Sequence, residues 1–170
     1  MSRALIVVES MFGNTRSIAG AIAEGIAEYA DVQIADAATA RTDLPDTIDL
    51  LVVGGPTHAF GMTRVGTRQA AVERGGDAAA GHAGGIREWI GHLRADTART
   101  RVAAFDTRVK KRGVPGSAAR SAARTMRRRG LQAVTDPHSF FVKDLRGPLA
   151  PGERDRAKAW GRELGATLTR

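Results

Sequence analysis

Cysteine is absent from this chain, which excludes disulfides, thiolate metal sites and cysteine nucleophiles and leaves any redox chemistry to a cofactor. Aromatic side chains are scarce, with one tyrosine, two tryptophans and five phenylalanines in 170 residues, so a site made of stacked rings has little to draw on. No apolar run approaches the roughly 20 residues of a membrane span. A strand pattern starts directly after Met1-Ser2-Arg3, so a cytoplasmic protein with no membrane partner is expected. Acid is missing from one stretch only. Between Arg108 and Arg129 lie nine of the 26 basic residues and no acidic one, while the rest of the chain holds 17 basic against 18 acidic residues, so the whole excess of the +8 net charge is local to this strip. Such a strip fits either an electrostatic role at one surface or a solvated arginine face.

Several chemistries fail on spacing. His58, His82, His92 and His138 show no metal-ligand interval. Ser10 lacks the flanking glycines of a nucleophile elbow. The first turn has one glycine where a dinucleotide fingerprint needs three, and no Gly-Lys pair marks a P-loop.

What is present reads as one α/β domain over 1–170, since 42% hydrophobic residues in a chain of this length supply one core. Ala4 to Val8 is an unbroken apolar run, as expected of a parallel strand buried on both faces. It is followed by a helix stripe of Ile18, Ile22, Ile26 and Tyr29. Further strands are read at Val32 to Ala35, Ile48 to Val53 and Val102 to Phe105, and a fifth in two pieces, Leu131 to Val134 and Phe140 to Val142. Helices are read over Ile86 to Leu93, over Ser117 to Arg129 with Gly130 as its stop, and over about Glu153 to Leu168. Residues 63–85 show little periodicity and are rich in Gly and Ala, which reads as a mobile loop.

In such a sheet, ligands bind beyond the carboxyl ends of the strands where the strand order reverses. Three loops lie there: Ser10 to Arg16, Pro56 to Met62 and Asp106 to Gly113. The first, Ser10-Met11-Phe12-Gly13-Asn14-Thr15, resembles the flavodoxin phosphate loop, and the second, Gly55-Pro56-Thr57-His58-Ala59-Phe60-Gly61, is similar to the flavin-ring loop of flavodoxins and related quinone reductases. The third, Asp106-Thr107-Arg108, matches by position.

The resemblance implies a three-layer αβα sandwich with a five-stranded parallel sheet in the order 2-1-3-4-5, and FMN as cofactor. It implies that Ser10, Asn14 and Thr15 donate side-chain hydrogen bonds to the phosphate, with backbone amides from Met11, Phe12 and Gly13. Met11 and Phe12 stand where the family often carries hydroxyls, and Arg16 either compensates beside the phosphate or points into solvent. Pro56 to Gly61 would approach the flavin ring, with His58 or Phe60 against it and Gly61 allowing close backbone approach. The other reading makes His58 a surface histidine and Phe60 a core plug. Asp106 either meets the pyrimidine edge or caps its loop.

The expected function is an FMN-binding electron carrier, monomeric or dimeric. An FMN-dependent NAD(P)H quinone oxidoreductase is the first alternative. A cofactor-free protein binding nucleic acid or an acidic partner through its arginine face is the second. Flavodoxins are ordinarily acidic, so the basic strip implies a redox partner with an acidic docking surface.

Overall fold

A computed structural model describes residues 1–169. Its sheet is parallel throughout and holds β1 (Arg3–Val8), β2 (Asp31–Asp36), β3 (Leu50–Pro56), β4 (Arg101–Val109), β5 (Gln132–Ala133) and β6 (His138–Val142). The order is β2-β1-β3-β4-β5, and β6 also pairs with β4. The fifth position is thus one strand in two pieces: β5 meets Arg101 and Val102, and β6 meets Phe105 to Val109. Asp136-Pro137 interrupts them, as a proline without an N–H must in a ladder. The count of five becomes six, with the expected order intact.

Strand parity sorts the core. Ala4, Ile6, Val8, Leu50, Val52, Ala103 and Phe105 face α1 (Asn14–Ile26) and α6 (Glu153–Ala166), while Val7, Leu51, Val53, Val102 and Ala104 face α4 (Ile86–His92) and α5 (Ala118–Arg128). Helix α5 ends as its sequence implies, with the Gly130 amide on the Arg127 carbonyl and the Leu131 amide on that of Met126, the paired bonds of a glycine stop. The reading of residues 63–85 as lacking regular structure is corrected: they carry α2 (Val65–Glu73) and α3 (Ala78–His82). Both are too short and too alanine-rich to show a stripe, and what fixes them is polar, as described below.

Helices α1 and α6 touch backbone to backbone. A Cβ on Gly161 would lie 2.2 Å from the Ile22 carbonyl oxygen, and one on Gly25 would lie 2.2 Å from that of Lys158. Neither backbone can yield without separating the helices. Gly161→Ala is therefore expected to lower stability by about 1–3 kcal/mol, the cost of overpacking, whereas Gly20→Ala, with nothing within 4 Å, is not. Urea unfolding of the two variants tests the contrast.

Candidate functional site

The three loops converge at the carboxyl end of the sheet around a narrow cleft of about 40 Å³, room for a few waters. Nine of the expected residues line it: Met11, Phe12, Asn14, Thr15, Pro56, Thr57, His58, Thr107 and Arg108. Ser10, Gly13, Arg16, Ala59, Phe60, Gly61 and Asp106 lie outside its wall and shape it instead. Val109, Val142 and Leu145 complete the lining and were not foreseen.

The phosphate loop is built around Gly13, the residue preceding α1, whose φ of 88° lies in the left-handed region that glycine occupies without cost. The Ser10 hydroxyl accepts from the Gly13 amide at 3.1 Å and, more distantly, from the Arg16 amide at 3.4 Å. The Asn14 and Thr15 amides meet no acceptor among the described residues, so the start of α1 offers two free donors and the positive end of its dipole. The Thr15 and Thr107 hydroxyls meet at 2.7 Å, buried beside them.

Several expected roles change. Met11 is buried, with its carbonyl accepting from the Asp77 amide and its side chain against Gly76, so it anchors the segment between α2 and α3. The Asn14 side chain donates to the Arg146 carbonyl at 3.1 Å and packs on Gly147, so a fourth loop straps down the first. The turn residues Arg146-Gly147-Pro148 after the last strand were its only sequence signal. Arg16 is neither free in solvent nor beside the amides: it pairs with Asp36 at 2.6 Å, both exposed.

Strand β4 runs to Val109, so Asp106, Thr107 and Arg108 belong to a strand rather than a loop. Parity turns Thr107 to the α1 face and Asp106 to the α5 face. Asp106, fully buried, accepts from the Thr57 and Ser117 hydroxyls and the Ala119 amide, holding the start of α5. Its other oxygen has no partner among the described residues. This is the capping alternative. Arg108 donates to the Gly116 and Val114 carbonyls.

The second loop closes as a tight turn in which His58 and Gly61 exchange both backbone hydrogen bonds. The residues with positive φ are Ala59 (43°) and Phe60 (72°), not Gly61, at a cost of about 1–2 kcal/mol each. Phe60 is 59% exposed and is therefore no core plug. His58 is buried rather than a surface residue.

Beneath this turn lies a buried polar network. Glu9, one residue past β1 and turned to the α4 face, accepts from the Thr63 hydroxyl and, at 2.8 Å, from the Ile86 amide. Arg68, 2% exposed, donates to Thr63 and to both oxygens of Glu88. Burial pushes the Glu9 carboxyl up, only partly offset by Thr63, Ile86 and Arg68. Burial would also raise Glu88, but the Arg68 hydrogen bond and the backbone amides bring it below the usual range.

No protein-family model and no curated protein sequence matches the chain. Solved structures do. A flavodoxin from the domain Archaea superposes with a TM-score of 0.67 at 20% identity, over 99% of both chains. Oxidised Flavodoxin 1 from Bacillus cereus gives 0.67 at 15% identity, over 96% of this chain and 97% of that one. The chain has the flavodoxin fold. A flavodiiron core from Synechocystis carries the same fold within a longer chain, matched at 0.67 and 15% identity over 99% of this chain and 36% of its own. As in any flavodoxin fold, the cleft opens where β1 and β3 leave in opposite directions across the sheet, the switch point for ligands.

Burial holds the His58 imidazole below its usual range, and the Arg68 and Arg74 guanidinium groups push the same way. The unfolded chain takes up this proton near pH 6.5 and the folded one resists it. The stability contribution is thus complete above about pH 6.5 and is lost as pH falls through the lowered folded value. His58→Gln is expected to lose less stability than the parent between about pH 7 and 5; His138, shifted in the same direction, adds to the slope that remains, and Glu9, whose carboxyl is raised, opposes it. Urea midpoints across that interval check this; parallel pH slopes for parent and variant would remove His58 as the titrating group.

Proposed function

We propose that the chain binds FMN at this cleft and works as an electron-transfer protein. The observation that carries the reading is the pair of free amides at Asn14 and Thr15, beside the Thr15–Thr107 hydroxyl pair at the switch point of a flavodoxin fold. Amide donors at a helix start, buried hydroxyls and no opposing carboxylate are what a phosphate dianion requires. The residues fit the phosphate end of the cofactor.

The Asn14 and Thr15 amides would hold the phosphate, with the Thr15 and Thr107 hydroxyls reorienting to donate to it. The Ser10 hydroxyl keeps the loop in register through Gly13. Pro56 to Gly61 and Arg108 would border the ring system, which supplies one- and two-electron redox chemistry when bound. Arg108, Lys110, Lys111 and Arg112 bring positive charge to that border, and Coulomb attraction there favours a ligand that gains negative charge on reduction. The Leu145–Gly147 turn, held by Asn14, borders the phosphate loop and would stand beside the bound ligand.

Electrons would enter and leave across the exposed border between Phe60 and Arg108. The cations there suit a redox partner with an acidic docking surface, in which rim charges steer the encounter.

Purified protein incubated with FMN is expected to retain flavin absorbance through gel filtration and to melt at a higher temperature. Thr15→Val should weaken binding about ten- to a hundred-fold, since a hydrogen bond to a charged group contributes about 1.5–3 kcal/mol. Colourless protein with an unchanged melting temperature would overturn the FMN reading.

A further inference from the structure

The basic strip of the sequence is not one surface. Arg129 donates to the carbonyls of Gly91 and Leu93, at the last turn of α4 and so at the amino-terminal end of the sheet. That places the Arg127–Arg129 end of α5 away from the cleft. The arm 108–112 and Arg120, by contrast, stand at the loop end, where they form one side of a groove whose other side is the edge strand β6. The groove has a volume of about 490 Å³, within the range of small-molecule sites and more than ten times that of the cleft. Arg108 lines both, so one end of the groove opens beside the cleft.

Its charges are unspent. Lys110, Lys111, Arg112 and Arg120 are exposed and form no ion pair among the described residues. Arg156, at the far wall, is neutralised by Glu153 at 2.7 Å. Four unpaired cations converging on a concavity repel one another, an arrangement that costs free energy unless an anion fills it. The β6 wall is different in kind. Phe141 supplies an aromatic ring there, beside Pro137, His138 and Ser139, and the Lys110 ammonium and the Arg156 guanidinium lie 5.5 Å and 5.7 Å from its centroid.

We propose that this groove binds a phosphorylated nucleotide carrying at least two phosphates, with the phosphates among Lys110, Lys111, Arg112 and Arg120 and the nucleoside along Phe141. Although the groove is open, four cations gathered around one aromatic ring favour a compact polyanion that carries a ring over an acidic protein, whose charges are spread more widely. A nucleoside polyphosphate and a phosphorylated dinucleotide share this chemistry. The assignment does not rest on FMN binding, because none of the four cations lines the cleft.

Calorimetric titration of the flavin-free protein with ATP, NADPH and pyrophosphate at low salt tests it. One saturable site is expected for ATP or NADPH, and the tighter of the two identifies the source. Pyrophosphate should bind at least about tenfold more weakly, because it lacks the nucleoside. The triple variant K110A/K111A/R112A should lose about tenfold or more in affinity, and Phe141→Ala should weaken ATP but not pyrophosphate. The variant R124A/R127A/R128A, which removes the same charge outside the groove, should stay within about twofold.

Equal losses in both triple variants would overturn the proposal in favour of diffuse attraction. Displacement of ATP by FMN would also overturn it, by moving the binding to the cleft. Tighter binding of a 20-nucleotide single strand without one-to-one saturation would assign the groove to nucleic acid and overturn it as well. FMN retention is read separately by absorbance, so failure of one reading leaves the other standing.

Discussion

A strand shows its two faces alternately, and at the carboxyl ends of β1, β3 and β4 this parity decides which loop residue meets which helix. Val8 faces α1, so Glu9 faces α4 and reaches the Ile86 amide. Phe105 faces α1, so Asp106 faces α5 and takes the Ala119 amide, while Thr107 returns to the α1 side and meets Thr15. Two carboxylates are spent on starting α4 and α5, and one hydroxyl pair is left at the start of α1. Of these three helices, α1 is the one with no carboxylate at its start, and its first amides stay free. Acid is placed at the other two helices and kept from this one, which leaves the start of α1 electropositive.

The buried network under the second loop has a different purpose. A charge taken out of water costs several kcal/mol, and a buried pair seldom returns more than that cost, so Glu9, Arg68 and Glu88 contribute little net stability. They supply specificity. Arg68 on α2 can be buried only where Thr63 and Glu88 take its two terminal nitrogens, its Nε having no partner among the described residues, and Glu9 only where Thr63 and the Ile86 amide donate to it. Those requirements fix α2 against α4 and the end of β1, although α2 buries only Arg68 and Ala71 and could not hold its position by apolar packing. The wall of the cleft formed by Met11, and the turn above Thr63, inherit that position.

Apolar periodicity made the strands, the helix faces and the split last strand legible in the sequence, because each is written in a repeat of two or of three to four residues, whereas the sheet order came only with the flavodoxin resemblance of the loops. Gly13 and Gly130 were legible because one residue type suits a left-handed backbone. What escaped depends on contacts between distant positions. Nothing local marks Arg68 as buried, since its partners Thr63 and Glu88 are 5 and 20 residues away and the helix around it has no stripe. Arg16 lies beside the phosphate loop in sequence yet pairs with Asp36 at the end of β2, a neighbour only once the strands are laid side by side. Asp106 was open between two roles because its outcome turns on whether β4 ends at Phe105 or runs on, and strand ends carry no residue signal here.

Charge ties the two concavities together. A groove of unpaired cations raises the potential along its whole length, and Arg108 carries that potential to the border of the cleft. An anion in the groove would cancel part of it. If the cleft holds a ligand that gains negative charge, the pull on it would be greatest with the groove empty and weaker with it filled, a coupling that needs no movement of the backbone. Its range is set by screening: at physiological salt the Debye length is about 8 Å, so the cations near Arg108 take part and those at the far end of α5 do not. The cations proposed to draw an anion to this end of the sheet would therefore also set the field at the cleft.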